Sequence, residues 1–285
     1  MYTETLISPD ARELIRRLRE RGRFHVITPN RFIKVYWREQ RAALGREMAA
    51  ARYIPDRLPW KSVNLVFNRT LLPFGLGTIA HARRIRGRLP HPGQCRTIAA
   101  VLLSQISPGI PRVPWFETVG AHVTESILPA LEIEMRMAID RSLSGITLPH
   151  TGAHGDLKDV NLLVDSNDDF SIIDWEFFRP EGSAIEDICR LLAISVRTER
   201  LQAGLSFVPG EDTWIIWRSH VMRWITAAYS LTEMQAILLE IISRASCEYL
   251  GGRDLRGVVD DMDTRLDVFF KLRQTTPVQP IGHGG

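Results

Sequence analysis

His154-Gly155-Asp156-Leu157-Lys158-Asp159-Val160-Asn161, followed by Ile172-Ile173-Asp174-Trp175-Glu176, decides how this chain is read. Asn161 stands five residues after Asp156, and Asp174 thirteen after Asn161. Between them lie two short apolar runs, Leu162-Leu163-Val164 and Phe170-Ser171-Ile172-Ile173, split by Asp165-Ser166-Asn167-Asp168-Asp169. Apolar runs around a polar, turn-forming stretch predict a β-hairpin. A hairpin of this size returns Asp174 to the side of Asn161, so an amide and a carboxylate can reach one ion. Asp156 is left to meet a hydroxyl. Phosphoryl transfer needs this division of labour: one carboxylate for the attacking hydroxyl, and an amide with a second carboxylate for magnesium on the nucleotide phosphates.

The segment resembles the catalytic core of the protein-kinase-like phosphotransferases, in particular the aminoglycoside phosphotransferase and choline kinase branch. That branch carries His-Gly-Asp-x-x-x-x-Asn and then Ile-Asp-Trp/Phe-Glu, where protein kinases carry His-Arg-Asp and Asp-Phe-Gly. The match is close over residues 154–190 and looser outside them. The resemblance implies Asp156 as catalytic base, Asn161 and Asp174 as magnesium ligands, and His154 as a support for the loop. It also implies that Asp187, in Ile185-Glu186-Asp187-Ile188, accepts hydrogen bonds from the loop backbone. Lys158 would offset charge on the γ-phosphoryl group in transit; its plainer reading is a loop lysine paired with Asp159. Glu176 is read either as a contributor near the metal or as an exposed salt-bridge residue, and Trp175 as a packing residue.

Only four of the 36 basic residues are lysine, namely Lys34, Lys61, Lys158 and Lys271. A lysine inside the strand-like Phe32-Ile33-Lys34-Val35 therefore stands out. In the family that the chain resembles, a strand lysine binds the α- and β-phosphates of ATP and is held by a glutamate on the next helix. Glu47, thirteen residues on, is the expected partner, with Glu39 as its rival. One departure is plain. No Gly-x-Gly-x-x-Gly precedes Lys34; the nearest glycine is Gly22, and Gly75 and Gly77 read as a linker turn.

The resemblance implies an α+β, bilobal protein-kinase-like fold, with a small sheet-plus-helix N-lobe and a mostly helical C-lobe. Residues 1–72 read as the nucleotide-binding N-lobe: a capped helix over 10–21, a hairpin from 24–28 and 31–37, a helix over 38–54 and a strand over 62–68. Residues 73–273 read as the C-lobe with the catalytic loop and acceptor site. Its expected helices are 94–105, 122–143, 184–196, 212–229, 232–250 and 254–273. Residues 274–285 read as a disordered tail. Trp214, Trp217 and Trp224 share one helical stripe, read as core rather than as a cage for a quaternary ammonium. Asp260, Asp261, Asp263 and Asp267 read as a solvated helix face.

Composition narrows the class. The chain of 285 residues is 45% hydrophobic and 24% charged, ordinary for a globular protein. It has no long apolar run and no secretory start, so neither a membrane span nor export is expected, and cytoplasmic placement is. Three isolated cysteines give no disulfide framework and no zinc pattern. Residues 1–150 hold 23 Lys or Arg against 12 Asp or Glu, an excess read as the solvated face of the first helix, so no nucleic-acid partner is expected. The reading reached is an enzyme: an ATP- and magnesium-dependent kinase that phosphorylates a hydroxyl of a small molecule or glycan. The alternative, supported by the missing glycine loop, is a non-catalytic kinase-like binding or scaffold protein.

Overall fold

Phe32-Ile33-Lys34-Val35-Tyr36 is rich in β-branched and aromatic side chains, and it forms an inner strand of a small sheet. The computed structural model describes residues 23–37, 41–57, 68–71, 77–204, 225 and 229–275. Four strands, β1 (Arg23–Ile27), β2 (Arg31–Trp37), β3 (Asn68–Leu71) and β4 (Gly77–Arg83), pair antiparallel in the order β1-β2-β4-β3. Helix α1 (Arg41–Arg57) covers one face of the sheet. On that face Tyr36 and Ala80 pack against Ala43 and Leu44, all buried. Because side chains alternate along a strand, Lys34 points the same way as Tyr36 and is buried with it.

The sheet runs past the boundary expected at residue 72. Gly77 opens a strand rather than a linker turn, because Thr78, Ile79 and Ala80 continue it and pair with both β2 and β3. The strand expected over 62–68 meets the described residues only at Asn68, where β3 begins. The readings for residues 10–21, for most of 212–229 with Trp214, Trp217 and Trp224, and for the tail from 276 onward lie outside the described residues.

Beyond β4 the chain is mainly helical. Helix α2 (Pro92–Ser104) opens on a capping box, in which His91 accepts from the Gln94 N–H and the Gln94 side chain accepts from His91. The helix expected over 122–143 is broken. A π-helical turn at Val123–Ile127 runs into Leu128–Ala130, the backbone extends at Leu131 and Glu132, and α3 (Ile133–Leu143) follows. Pro129 sits inside the helical turn Leu128–Ala130, and the break falls after it, at Leu131 and Glu132. Strands β5 (Arg112–Pro114) and β6 (Thr147–Pro149) pair beside it.

Strands β7 (Leu162–Val164) and β8 (Phe170–Ile172) form the hairpin, with Leu162 opposite Ile172. Asp165 shapes its turn by accepting from the N–H groups of Asn167 (2.7 Å) and Asp169 (3.1 Å). Arg88, on the way down from the sheet, exchanges two backbone bonds with Val164. Gly87 beside it is needed, since a Cβ there would lie 2.9 Å from the Val164 carbonyl. Helices α4 (Ala184–Gln202), α5 (Glu233–Leu250) and α6 (Leu255–Thr275) complete the large core, packed in sequence with α2 against α4.

Helix α5 starts on a second capping box, between Thr232 and Gln235. Replacing Thr232 by Ala removes one acceptor and costs about 1 kcal/mol. The thermal midpoint should then fall by roughly 2–4 °C, and an unchanged midpoint in calorimetry would show that the cap contributes nothing.

Candidate active site

The stretch after the hairpin meets the sheet lobe at a partly buried ion pair. Lys34 Nζ donates to Glu47 Oε1 on α1 and, at 2.5 Å, to Asp174 Oδ1, a residue 140 positions away. Glu47 is 1% exposed and Lys34 3%. Burial alone would lower the lysine pKa, but the two carboxylates outweigh it and hold the ammonium above its ordinary value. Glu39, the rival partner, lies outside the described residues.

Asp174 follows β8 with φ at 66°, a left-handed conformation that an Asp tolerates better than most side chains. The Ile173 N–H donates to the Asn161 carbonyl at 2.9 Å, so the hairpin returns Asp174 to the side of Asn161. Glu176 is 3% exposed, which removes the reading of it as an exposed salt-bridge residue. Carboxylate oxygens of Glu47, Asp174 and Glu176 lie within 4.8 Å of one another. Such an all-oxygen set suits a hard divalent cation.

The loop before the hairpin is held from three sides. Gly155 sits at φ 82°, and a Cβ there would stand 2.4 Å from the Phe177 carbonyl, so the position accepts only glycine. Asp187, on the first turn of α4, accepts from the backbone N–H groups of His154 and Gly155. His154 is fully buried. Its Nδ1 accepts from the Asp156 N–H at 3.2 Å, so the ring proton belongs on Nε2, which donates to the Ile173 carbonyl at 2.8 Å. Burial lowers the His154 pKa, in keeping with that neutral tautomer. The ring packs on Trp175, 4.6 Å away, and Trp175 is a core residue with no exposure.

Asp156 is 5% exposed, and both of its oxygens are engaged. Lys158 Nζ stands 2.6 Å from Oδ2 and Arg190 Nη2 stands 2.7 Å from Oδ1. The Asn161 amide N–H donates to the Asp156 carbonyl at 2.8 Å and reaches Oδ2 at 3.4 Å. The Asn161 side-chain oxygen is therefore turned away from Asp156. Lys158 does not pair with Asp159, which instead accepts from the Val160 N–H at 2.8 Å. Cys247 on α5 lies beside Asp156 and Arg190, and burial pushes its thiol up to about 12.

Each residue picked from the sequence therefore falls in one of two adjoining groups. Lys34, Glu47 and Asp174 form the first; Asp156, Lys158 and Asn161 form the second. Sequence reasoning missed Arg190 and Arg46. Arg190 lies one helical turn after Asp187, and that i, i+3 spacing is the signal that could have found it. Arg46 Nε donates to the Glu176 carbonyl, and its neighbour in sequence is Glu47. Of the four aspartates of α6, Asp260 and Asp267 are exposed, as a solvated face requires, and Asp261 and Asp263 are half-buried. Asp261 pairs with Arg265 at 2.7 Å and Asp267 with Lys271 at 2.6 Å.

A scan against protein-family models and a search of curated protein sequences give no match. Solved structures do match in fold. A thermostable mutant of aminoglycoside phosphotransferase APH(4)-Ia, in its apo form, gives a TM-score of 0.54 at 12% identity, over 89% of this chain and 92% of that one. A ternary complex of such a mutant with AMP-PNP and hygromycin B gives 0.51 at 9% identity, over 86% and 89%. At these identities the likeness is one of fold. The chain has the α+β, kinase-like fold of the aminoglycoside phosphotransferases.

A second histidine makes the site's support sensitive to acid. His122 Nε2 lies 2.7 Å from Ser246 Oγ, which also accepts from Arg179 at 3.2 Å. A neutral His122 can meet that hydroxyl as donor or as acceptor, according to its tautomer. Burial, with Arg179 and Arg46 nearby, lowers its pKa to about 4. An unfolded histidine binds a proton below about pH 6.5. Between pH 6.5 and about 4 the unfolded state thus holds more protons than the native one, and stability falls as pH falls. In His122→Gln this slope should be shallower. A parent-minus-variant difference in thermal midpoint that stays constant across that window would refute the assignment.

Proposed function

We propose that this protein is an ATP- and magnesium-dependent phosphotransferase that moves the γ-phosphate to a hydroxyl of a small molecule or glycan. The observation that carries the reading is the Lys34–Asp174 pair. It brings a strand lysine from the sheet against the carboxylate after the hairpin, beside the loop that bears Asp156. Both neighbours in fold are aminoglycoside phosphotransferases, one of them in complex with AMP-PNP and hygromycin B, and this supports the same class of chemistry here. The small lobe in this reading ends after β4 rather than at residue 72.

In this reading Lys34, kept charged and aimed by Glu47, orients the α- and β-phosphates. Asn161 and Asp174 hold magnesium, which when bound neutralises charge on the phosphates. Glu176 extends that oxygen set. Asp156 orients the acceptor hydroxyl and takes its proton as the new oxygen–phosphorus bond forms and the bond to the departing ADP oxygen breaks. Lys158 offsets charge on the phosphoryl group in transit. His154 and Asp187 do not touch the reactants; they hold the loop that does. Most of the rate gain comes from placement and charge stabilisation, since no covalent intermediate is required.

The turn between β1 and β2 favours the second reading, a non-catalytic binding protein. Thr28 closes it tightly, donating its N–H to the Arg31 carbonyl at 2.9 Å, so it offers no loop to cover phosphates. The two readings separate on a transfer assay. Labelled ATP with magnesium and acceptor pools of amines, sugars and antibiotics should yield a phosphorylated product. Asp156→Asn should lower its rate about 100-fold to 10,000-fold. Lys34→Met should raise the nucleotide KM at least about ten-fold, from loss of a charge-assisted contact. Chelation of magnesium should stop transfer. Transfer that persists unchanged in Asp156→Asn would remove the assigned base, and absence of any thermal shift with ATP and magnesium would favour the binding protein.

A further inference from the structure

Arg190 is buried with fewer hydrogen bonds than Arg179 in the same core. Its side chain is 9% exposed, and its one hydrogen bond among the described residues runs from Nη2 to Asp156 Oδ1. Nε and Nη1 are sealed from solvent and have no hydrogen-bond partner among the described residues. Arg179, buried in the same core, spreads its bonds over the Val119 carbonyl, Ser246 Oγ and Glu186 Oε2. Buried donors left unmet cost stability, so a guanidinium held by a single contact is retained for what that contact does.

The two oxygens of Asp156 differ in what holds them. Oδ1 faces Arg190, which is walled in. Oδ2 faces Lys158, whose side chain is 34% exposed and can leave. Helix α4 fixes this asymmetry, because Asp187 and Arg190 project from successive turns, one onto the backbone of residues 154 and 155 and the other onto the side chain of residue 156. We propose that Arg190 is a positioning residue: it locks Oδ1 of Asp156, and so makes Oδ2 the oxygen that meets the acceptor hydroxyl once Lys158 moves to the phosphate. This inference rests on the phosphotransferase reading above. It adds which oxygen reacts and which residue sets it.

The test compares Arg190→Met and Arg190→Lys with the parent, on whichever acceptor the parent phosphorylates. Methionine fills the space without charge; losing one member of a buried pair costs stability, but the change also removes two unmet buried donors and leaves Asp156 its Lys158 counter-charge, which offset that cost. Arg190→Met should therefore keep the parental thermal midpoint and a nucleotide KM within about two-fold, while kcat falls about 100-fold from misplacement of the base. Arg190→Lys retains charge without the planar fork, and should restore part of the lost kcat. A parental kcat in Arg190→Met overturns the inference. So does a kcat loss matched by a lower midpoint or a higher nucleotide KM, because that marks a merely structural role. If the methionine variant does not fold, Arg190→Lys decides alone: kcat about ten-fold below the parent at unchanged nucleotide KM supports the inference, and parental kcat overturns it. A parent that phosphorylates no acceptor defeats the broader reading, whereas an active parent with an equally active Arg190→Met defeats this inference only.

Discussion

A lysine ammonium cannot be buried alone. Stripping it of water costs several kcal/mol, which only close opposite charges and hydrogen bonds recover. Lys34 is buried on an inner strand, and the structure is arranged around that requirement. Glu47 must come from α1, so α1 must lie across the sheet. Asp174 must come from beyond the hairpin, so the hairpin must lie under the sheet. Two parts of the chain separated by 140 residues are thereby joined at a charge neither could bury without the other. Breaking one partner leaves an uncompensated charge in the cleft, which explains how a single pair can specify the relation between sheet and helices.

The second organising element is α4. Its first turns supply Asp187 to the loop backbone and Arg190 to the Asp156 side chain. The loop has little regular structure of its own, since Gly155 takes a left-handed conformation and the stretch 159–161 makes only one 3-10 turn. Its order is borrowed from a helix packed deep in the core, and His154 carries that order across to the backbone at Ile173.

Much of this was legible in residue order, for physical reasons. The hairpin and the catalytic loop are local, so spacing alone placed Asp156, Asn161 and Asp174 near one another. Lys34 stood out because the chain otherwise prefers arginine. Boundaries were harder. Strand β4 carries two glycines at its approach and read as linker, yet pairing on both sides overrode that local signal. The break before α3 falls at Leu131 and Glu132, both good helix formers, so a periodic pattern conceals it. Arg190 was overlooked for a different reason. An arginine in an amphipathic helix reads as solvated until the packing shows which way it points.

Contacts from α1 to the stretch after Asp174 do more than steady a side chain. Arg46 holds the Glu176 carbonyl, Tyr53 donates to the Pro180 carbonyl at 3.0 Å, and the Tyr53 ring lies 5.5 Å from Phe178. The sheet lobe is thus stitched to the floor of the larger one along one helix. Dissecting the chain into separately expressed parts would rip those stitches, leaving the Glu176 and Pro180 carbonyls without these donors on one fragment and Arg46 and Tyr53 without these acceptors on the other.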